Sequence, residues 1–310
     1  MSAVVRAGVV GVGHLGTFHA EKYASMPDVD LVAVVDVNLE RAHAVAARCS
    51  AEALADYQTL FGRVDCVSLA VPTQLHFAVS QEFLARGIDV LVEKPMTTTV
   101  AEGRAVVDAA EHAGRILQVG HLERFNPAIR ALVGVVTQPR FIECHRLAPF
   151  VERGTDVDVI LDLMIHDLDV ILSVVHADVQ SVEAVGVPVL SNSADIANSR
   201  LRFTNGCIAN ITASRVALKR ERKIRIFQPD AYVSVDYGEK HVRVCRRISN
   251  NGTPQITVEE QALGDGDALF DEIEHFVQAV RTRQRPLVDG RTALRALEVA
   301  ELIRSNLETV

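Results

Sequence analysis

A glycine-rich turn near the start of the chain restricts its fold more than any other feature. The apolar run Ala7–Val10 leads into it, and a helical pattern over Gly16–Met26 follows it. In the spacing G-x-G-x-x-G, the first glycine allows a tight turn, the second lets a phosphate approach the backbone, and the third lets helix and strand pack closely. The six residues of this motif are Gly11, Val12, Gly13, His14, Leu15 and Gly16.

Short apolar runs alternate with helical patterns up to about residue 121. The runs predict strands buried in a parallel sheet, at Ala7–Val10, Leu31–Asp36, Cys66–Val71, Val90–Glu93 and Ile116–Gly120. The helical patterns are Gly16–Met26, Asn38–Cys49, Leu75–Arg86 and Val100–His112. Such alternation predicts an α/β Rossmann domain with a doubly wound parallel sheet over residues 1–121.

The pattern changes after His121, and residues 122–310 predict a second, α+β domain. Its strands alternate polar and apolar residues, which is typical of a mostly antiparallel, open-faced sheet, and Asn205-Gly206 predicts a hairpin. The predicted strands include Ile196–Phe203, Tyr232–Tyr237 and His241–Ile248, and the predicted helices are Leu122–Leu132, Asp156–Val175, Ala268–Arg283 and Thr292–Leu307. We expect residues 291–310 to pack back on the first domain. A partner subunit should cover the open sheet face, which predicts a homo-oligomer, a dimer or a tetramer.

Composition excludes several classes of partner. The net charge of −8 disfavours binding to nucleic acid or to an anionic membrane, and no apolar run has the roughly 18 residues that span a bilayer. The chain begins directly with a strand pattern, without the layout of a signal peptide. Its five cysteines are scattered and form no CxxC pair, which predicts reduced thiols, no metal site and a cytoplasmic location.

An aspartate at the end of the second strand indicates which dinucleotide binds. Asp36 lies 20 residues after Gly16, where a carboxylate accepts hydrogen bonds from the adenosine ribose and repels a 2′-phosphate. This predicts NAD and not NADP, because Arg41, the nearest cation, lies inside the next helix. Further cofactor contacts are expected near the carboxyl ends of the strands, at Val37, Ala70, Val71, Pro72, Thr73, His76, Glu93, Lys94 and His121. For His76, a helix-start histidine without a ligand is an equal alternative.

Two further segments carry residues suited to oxidising a hydroxyl group. Lys94 follows a strand, where its ammonium group can stabilise negative charge on a reacting oxygen; the alternative is a solvated lysine. Asp162 and His166 are four residues apart and so share one helix face. His166 suits proton transfer, and Asp162 suits orienting it or binding a neighbouring hydroxyl. A metal site that includes Asp167 lacks a further group of ligands, and a structural histidine is the other alternative.

Taken together, the G-x-G-x-x-G turn, the V-P-T-x-x-H segment at 71–76 and Glu93-Lys94-Pro95 resemble the glucose–fructose oxidoreductase/inositol dehydrogenase (Gfo/Idh/MocA) family over the whole chain. The resemblance implies a catalytic trio of Lys94, Asp162 and His166 and a cis peptide bond before Pro95. The family usually has glycines ahead of its D-x-x-x-H motif. Here residues 158–161 read D-V-I-L, a departure that predicts a different backbone approach to the substrate.

The run G-H-L-E-R-F-N-P at 120–127, with R-G-T-D-V at 153–157, resembles the nucleotide-sugar branch of that family. This implies oxidation of the C3 hydroxyl of UDP-N-acetylglucosamine to a keto sugar, which a PLP-dependent aminotransferase then uses in lipid A assembly. Substrate contacts are expected at Glu123, Arg124, Phe125 and Asn126. An amphipathic linker helix would show the same residue pattern and is the alternative. Cations for the diphosphate are expected among Arg146, Arg153, Arg215, Lys219 and Arg220, each of which taken alone fits a surface charge as well.

Two other functions remain open at this point. A dehydrogenase of a free sugar or inositol would keep Lys94 and His166 but would need no phosphate-binding arginines. A non-catalytic NAD-binding regulator would keep the glycines and lose the trio, so the presence of Lys94, Asp162 and His166 argues against it.

Overall fold

The computed structural model describes residues 4–150, 157–250, 253–264 and 266–309, and it divides into two compact units. The first unit comprises Met1–Leu122 and Asp267–Leu294, and the second comprises Glu123–Gly266 and Arg295–Val310. The predicted boundary after residue 121 lies one residue away. The assignment of residues 267–294 to the second domain was wrong, because Ile273, Phe276 and Val280 pack in the core of the first unit.

The first unit contains a six-stranded sheet in which every pair of neighbouring strands is parallel. The strands are β1 (Val5–Val10), β2 (Val29–Val35), β3 (Glu52–Leu54), β4 (Cys66–Leu69), β5 (Asp89–Glu93) and β6 (Leu117–Gly120). Their order is β3-β2-β1-β4-β5-β6, which is the dinucleotide-binding arrangement. The five predicted strands are confirmed, and β3, only three residues long, was not predicted.

The described part of the first unit contains five whole α-helices, and residue chemistry explains both ends of the fourth. They are α1 (His14–Ser25), α2 (Leu39–Cys49), α3 (Thr73–Ala85), α4 (Val100–Ala113) and α7 (Ala268–Thr282). In α4, the Thr99 side chain accepts from the Glu102 backbone N–H while the Glu102 carboxylate accepts from the Thr99 N–H. Gly114 then ends the helix in the left-handed conformation, with φ 60°.

The second unit is built on a nine-stranded mixed sheet. Its strands are β7 (Phe141–Leu147), β8 (Val179–Val187), β9 (Ile196–Phe203), β10 (Ile208–Ser214), β11 (Glu221–Gln228), β12 (Ala231–Asp236), β13 (His241–Asn250), β14 (Thr253–Ala262) and β15 (Leu307–Thr309). The order is β14-β13-β12-β11-β7-β10-β9-β8-β15, and only the β7–β10 and β8–β15 pairs are parallel. The predicted mostly antiparallel sheet and the hairpin at Asn205-Gly206 are thereby confirmed.

Residues on the two faces of this sheet differ in burial. In β7, Ile142, Cys144 and Arg146 are buried, while the alternate residues Phe141 and Glu143 are partly exposed. The helices of this unit are α5 (Pro127–Arg130) and α6 (Ile165–Val174), and α8 (Gly290–Ser305) belongs to it from Arg295 onward. A 3₁₀ turn over Leu122–Phe125 precedes α5, and a π-helical turn over Ile160–Met164 precedes α6. Among the residues described, no helix is long and apolar enough to cross a membrane.

Candidate active site

The glycine-rich turn after β1 has the geometry that a dinucleotide requires. Gly11 has φ +84°, and a Cβ atom there would lie 2.7 Å from the carbonyl oxygen of Ala70. A Cβ atom at Gly16 would lie 1.8 Å from the carbonyl oxygen of Gly11. Both positions therefore require glycine, and the N-terminus of α1 directly behind them is an arrangement that binds phosphate.

The Asp36 carboxylate lies beside this turn and is buried. Its Oδ2 accepts from the Val12 backbone N–H at 3.0 Å, and its Oδ1 accepts from the Asn38 N–H at 2.8 Å. Arg41 Nη1 lies 3.3 Å from Oδ2, so the cation that the sequence analysis placed inside the next helix contacts Asp36 directly. The adjoining cleft has a volume of about 670 Å³, and it is lined by Val12, Gly13, His14, Thr17, Arg41, Ala44, Val45 and Arg48. A glycine turn with a carboxylate beside it fits NAD.

His76 connects the segments that follow β4 and β5. Its Nδ1 lies 2.9 Å from the carbonyl oxygen of Pro95, and its Nε2 lies 2.9 Å from that of Val71. Burial lowers the pKa of this imidazole, although both carbonyls and the charge of Glu93 oppose the change. Because both ring nitrogens have partners inside the unit, His76 holds the two segments together, which favours the structural alternative over direct contact with a cofactor.

Lys94 follows β5 directly, and its peptide bond to Pro95 is cis, as the family resemblance implied. The Lys94 backbone N–H donates to Glu93 Oε2 at 3.3 Å, and Glu93 Oε1 lies 2.9 Å from Nε2 of the buried His19. Burial alone would raise the pKa of the Glu93 carboxyl, but the His19 hydrogen bond and nearby positive charges hold it below its usual value. The sequence did not indicate His19.

The remaining predicted cofactor residues of the first unit differ widely in exposure. Val37 is 96 % exposed, Leu15 is 45 % exposed, and His121 is buried, with its backbone N–H bonded to the Val119 carbonyl oxygen. Pro72 and Thr73 form the start of α3. The side chains of Val37 and Leu15 are thus accessible to solvent, and their contact with the cofactor stays a prediction.

In the second unit, Asp162 and His166 lie where the π-helical turn passes into α6. Both side chains are partly accessible, whereas Leu161, Ile165 and Asp167 beside them are buried. Leu163 of the same segment is also partly accessible, so the shared face of Asp162 and His166 stays a prediction. π-Helical turns of this kind are frequent at functional sites. Lys94 belongs to the first unit, so the meeting of all three residues at one site remains a prediction.

Arg146 is the centre of a buried ion-pair network in the second unit. Its Nε and Nη2 donate to the two Asp167 oxygens at 2.9 Å each, and its Nη1 donates to Glu123 Oε1 at 3.0 Å. Arg222, with its side chain 41 % exposed, reaches the same Glu123 oxygen at 3.4 Å. This geometry gives Arg146 a structural role and does not favour the expected contact with a diphosphate. The sequence indicated neither Arg222 nor the pairing with Asp167.

The charges in this network stabilise one another. Burial alone would raise the pKa of Glu123, but Arg146 and Arg222 hold it below its usual value. Burial and the neighbouring Arg146 charge lower the pKa of Arg222. Within this network, each buried charge therefore has a partner of opposite sign within 3.4 Å.

The side chains of the predicted substrate segment 123–126 make contacts within the second unit. Arg124 Nη1 lies 3.3 Å from the buried Asp169, and the Phe125 ring is 3 % exposed. Asn126 Oδ1 accepts from the Ala128 N–H at 3.0 Å and so begins α5, while its Nδ2 donates to Glu123 at 3.3 Å. These contacts favour the linker-helix alternative for this segment.

A second buried arginine has a similar role. Arg215 Nε donates to Asp195 Oδ1 at 2.8 Å, and its other nitrogens donate to the Val157 carbonyl oxygen and to two serine hydroxyls. Asp195 also accepts three backbone N–H groups, and these bonds outweigh the effect of burial to lower its pKa. Of the other predicted cations, Lys219 and Arg220 are exposed, and Arg153 lies outside the described residues.

One group of side chains in the described part of the chain has the composition of a metal site, which the sequence analysis did not expect. Ligand-type atoms of His19, Glu93 and Glu272 all lie within 4.8 Å of one another. The His19–Glu93 distance of 2.9 Å is that of a direct hydrogen bond. Two ligands on a tetrahedral zinc ion would be about 3.3 Å apart, given bonds of about 2.0–2.1 Å. The geometry therefore favours a hydrogen-bonded cluster.

Comparison with protein families agrees with this geometry. The family model described as "Oxidoreductase family, NAD-binding Rossmann fold" of the Gfo/Idh/MocA group matches residues 5–121. The C-terminal domain model of the same group matches residues 128–233. The chain belongs to the Gfo/Idh/MocA oxidoreductase family. Its first unit is accordingly an NAD-binding Rossmann domain, and the predicted family is confirmed.

Individual relatives extend the match over the full chain. UDP-N-acetylglucosamine 3-dehydrogenase of Acidithiobacillus ferrooxidans is 40% identical over 98% of this chain and 97% of its own length. A solved structure of that enzyme superposes with a TM-score of 0.92 at 39% identity, over 98% of this chain and 97% of that one. The scyllo-inositol 2-dehydrogenase (NAD(+)) of Bacillus subtilis is 26% identical over 96% of this chain and 93% of its own length.

Proposed function

We propose that this protein oxidises the C3 hydroxyl of UDP-N-acetylglucosamine to the 3-keto sugar nucleotide, with NAD as cofactor. The observation that carries the proposal is the 40% identity, over 98% of the chain, to the Acidithiobacillus enzyme that bears this activity in its name. The inositol enzyme of Bacillus subtilis reaches 26%. The complete set of Lys94, Asp162 and His166 supports an active enzyme over a non-catalytic regulator.

The chemistry can be divided among residues of both units. Bound NAD supplies the hydride acceptor. In the proposed mechanism the imidazole of His166 takes the hydroxyl proton, and Lys94 stabilises the negative charge that develops on the same oxygen. Asp162, one helical turn before His166, orients the imidazole or binds a neighbouring hydroxyl.

The diphosphate needs cations that the scaffold has not already paired. Arg146 and Arg215 are buried in ion pairs, which leaves the exposed Lys219 and Arg220 as the better candidates in the described residues. The half-exposed Arg222 would have to give up its ion pair with Glu123. Arg153 stays in the proposal on its sequence position alone. Several weak, solvated contacts from such residues suit a substrate that must leave after each turnover.

A coupled assay tests the proposed activity. Oxidation of an alcohol by NAD is unfavourable near neutral pH, so NADH formation alone is a weak signal. Addition of a PLP-dependent aminotransferase and glutamate should draw the reaction forward and yield a 3-amino sugar nucleotide, which mass spectrometry detects. Reduction of NAD by inositol or a free sugar, with no amino sugar formed from UDP-N-acetylglucosamine, would establish the polyol alternative. His166→Asn should lower the rate of the coupled reaction and remove its pH dependence near neutrality.

We also propose that the keto product is aminated by a partner enzyme on the route to lipid A, and that both act in the cytoplasm. The five cysteines are all free thiols, which fits a reducing compartment. A homo-oligomer is supported by the partly exposed sheet face around Phe227, whose ring centroid lies 5.7 Å from that of Phe141 and 5.0 Å from that of Tyr232. Phe227→Glu should reduce the mass measured by light scattering, and an unchanged mass would place the interface elsewhere.

A further inference from the structure

Three buried ionisable side chains meet directly behind Lys94 in the first unit. His19 comes from α1, Glu93 ends β5, and Glu272 lies in α7. His19 is 1 % exposed, Glu272 is fully buried, and the Glu93 side chain is 12 % exposed. Binding of a dinucleotide at the glycine turn does not account for this cluster, and a buried group of this kind is costly unless its members hold one another in place.

Glu93 is the member of the cluster that reaches the proposed catalytic residue. One of its carboxylate oxygens bonds to His19, and the other accepts the Lys94 backbone N–H. Beside it, a Cβ atom at Gly120 would lie 3.0 Å from Glu93 Oε2, so the absence of a side chain at this position of β6 leaves room for the carboxylate. The orientation of this carboxylate is therefore linked to the Lys94 backbone through one hydrogen bond.

We propose that His19 and Glu272 are positioning residues that act through Glu93 to hold Lys94 in place at the carboxyl end of β5. The inference rests on the proposed role of Lys94 in hydroxyl oxidation. His19 fixes one Glu93 oxygen by a direct hydrogen bond. Glu272 places a second, fully buried carboxyl within 4.8 Å of the ligand-type atoms of His19 and Glu93.

Two isosteric variants of His19 separate the hydrogen bond from simple burial. The amide nitrogen of glutamine can occupy the position of the imidazole Nε2, whereas that of asparagine corresponds to Nδ1 and cannot reach Glu93. His19→Gln should keep kcat within about threefold of the wild type. His19→Asn should lower kcat about 10- to 100-fold, the cost of misplacing a reacting group. The Kd for NAD, measured by calorimetry, should change less than about twofold in both. Glu272→Gln should resemble His19→Asn with a smaller loss.

Tyr23→Phe provides a matched control on the same helix. Tyr23 is fully buried in α1, and its hydroxyl bonds to Ser68 and not to Glu93. This variant loses a buried hydrogen bond, as His19→Asn does, and should keep wild-type kcat. An equal loss of kcat in Tyr23→Phe and His19→Asn, or equal activity of His19→Gln and His19→Asn, would overturn the proposal.

Hydrogen–deuterium exchange gives a readout that needs no substrate. In the NAD-loaded protein, the peptide containing the Lys94 amide should exchange faster in His19→Asn than in His19→Gln or Tyr23→Phe. Unchanged exchange in His19→Asn would overturn the positioning role even if the enzyme turns over UDP-N-acetylglucosamine. Faster exchange without turnover of any sugar nucleotide would support the positioning role and contradict the proposed function.

Discussion

The two units of this protein use their charged residues in different ways. In the Rossmann unit, Asp36 and Lys94 each follow the carboxyl end of a parallel strand, beside the loops where such sheets bind ligands. In the second unit, the arginines that the sequence offered for a diphosphate, Arg146 and Arg215, are 3 % and 4 % exposed and paired with carboxylates. In a parallel sheet, the carboxyl end of a strand by itself predicts a ligand-binding position. In a mixed sheet, a cation predicts no function until the face of the sheet on which it lies is known.

The residue pattern of β7 indicates which face Arg146 occupies. Arg146 has the same parity as Ile142 and Cys144, so all three point to the same face, and that face is the buried one. An arginine at a position where its neighbours are apolar must be paired inside the protein. Strand parity therefore assigns Arg146 to the scaffold and not to the diphosphate.

The largest effect is expected from breaking the buried network. Arg146→Met leaves the buried Asp167 without the cation it pairs with and leaves Glu123 with Arg222 alone, and should lower the free energy of unfolding by about 3–5 kcal/mol. Arg222→Gln is the matched control: it removes the half-exposed arginine from the same Glu123 and should cost less than about 1 kcal/mol. Urea denaturation followed by circular dichroism measures both.

The opposite result would restore the original expectation for Arg146. If Arg146→Met unfolds at the wild-type urea concentration and instead raises KM for UDP-N-acetylglucosamine, the residue binds substrate. The two units would then differ in how deeply their charged residues are buried, but not in whether those residues bind ligands.

A loss of turnover without a loss of cofactor is expected in the first unit. Lys94→Met should lower kcat about 10²-fold or more, equivalent to about 2.7 kcal/mol in the barrier, because the developing oxyanion loses its donor. The Kd for NAD should stay nearly unchanged. Steady-state kinetics of the coupled assay and calorimetry test this, and a variant with near wild-type turnover would show that Lys94 does not take part.

The limits of sequence prediction follow the same division. The parallel sheet, the glycine turn, Asp36 and the Lys94–Pro95 segment could be predicted because each depends on local spacing or on a strand end. The membership of α7 in the first unit could not, since its amphipathic pattern fits any apolar surface. The cluster of His19, Glu93 and Glu272 joins residues up to 253 positions apart, and no pattern within one sequence connects them.

An intermediate effect is expected on cofactor choice. Asp36→Asn keeps an oxygen for the Val12 or Asn38 N–H groups but removes the negative charge, and it releases Arg41 from its ion pair. The ratio of NADP to NAD affinity should therefore rise about 10- to 100-fold, in line with the roughly 1.5–3 kcal/mol of a hydrogen bond to a charged group. Calorimetric titration of both cofactors measures it. Equal binding of NAD and NADP by the wild type would contradict the role assigned to Asp36.

The smallest effect is expected from lowering the pH from about 7 to about 5, and it should differ between the units. His76 in the first unit has a lowered pKa because of its burial, so the unfolded chain binds this proton first. The free energy of unfolding of the first unit should therefore decrease as the pH is lowered from about 6.5, by no more than about 1.4 kcal/mol per pH unit. In the second unit, Glu123 and Asp195 have lowered pKa values, so their contribution is essentially complete at about pH 5 and is lost as the pH falls through about 4 and below.

Urea denaturation at about pH 7, 6 and 5, with hydrogen exchange of peptides from each unit, tests this difference. The first unit should lose stability over this range while the second stays level, because no carboxyl with a lowered pKa gains a proton there. His76→Gln keeps a donor for one of the two carbonyl oxygens and cannot be protonated, so it should flatten the pH dependence of the first unit. An unchanged slope in His76→Gln would assign the proton uptake to another group, and an equal decline in both units would remove the electrostatic difference between them.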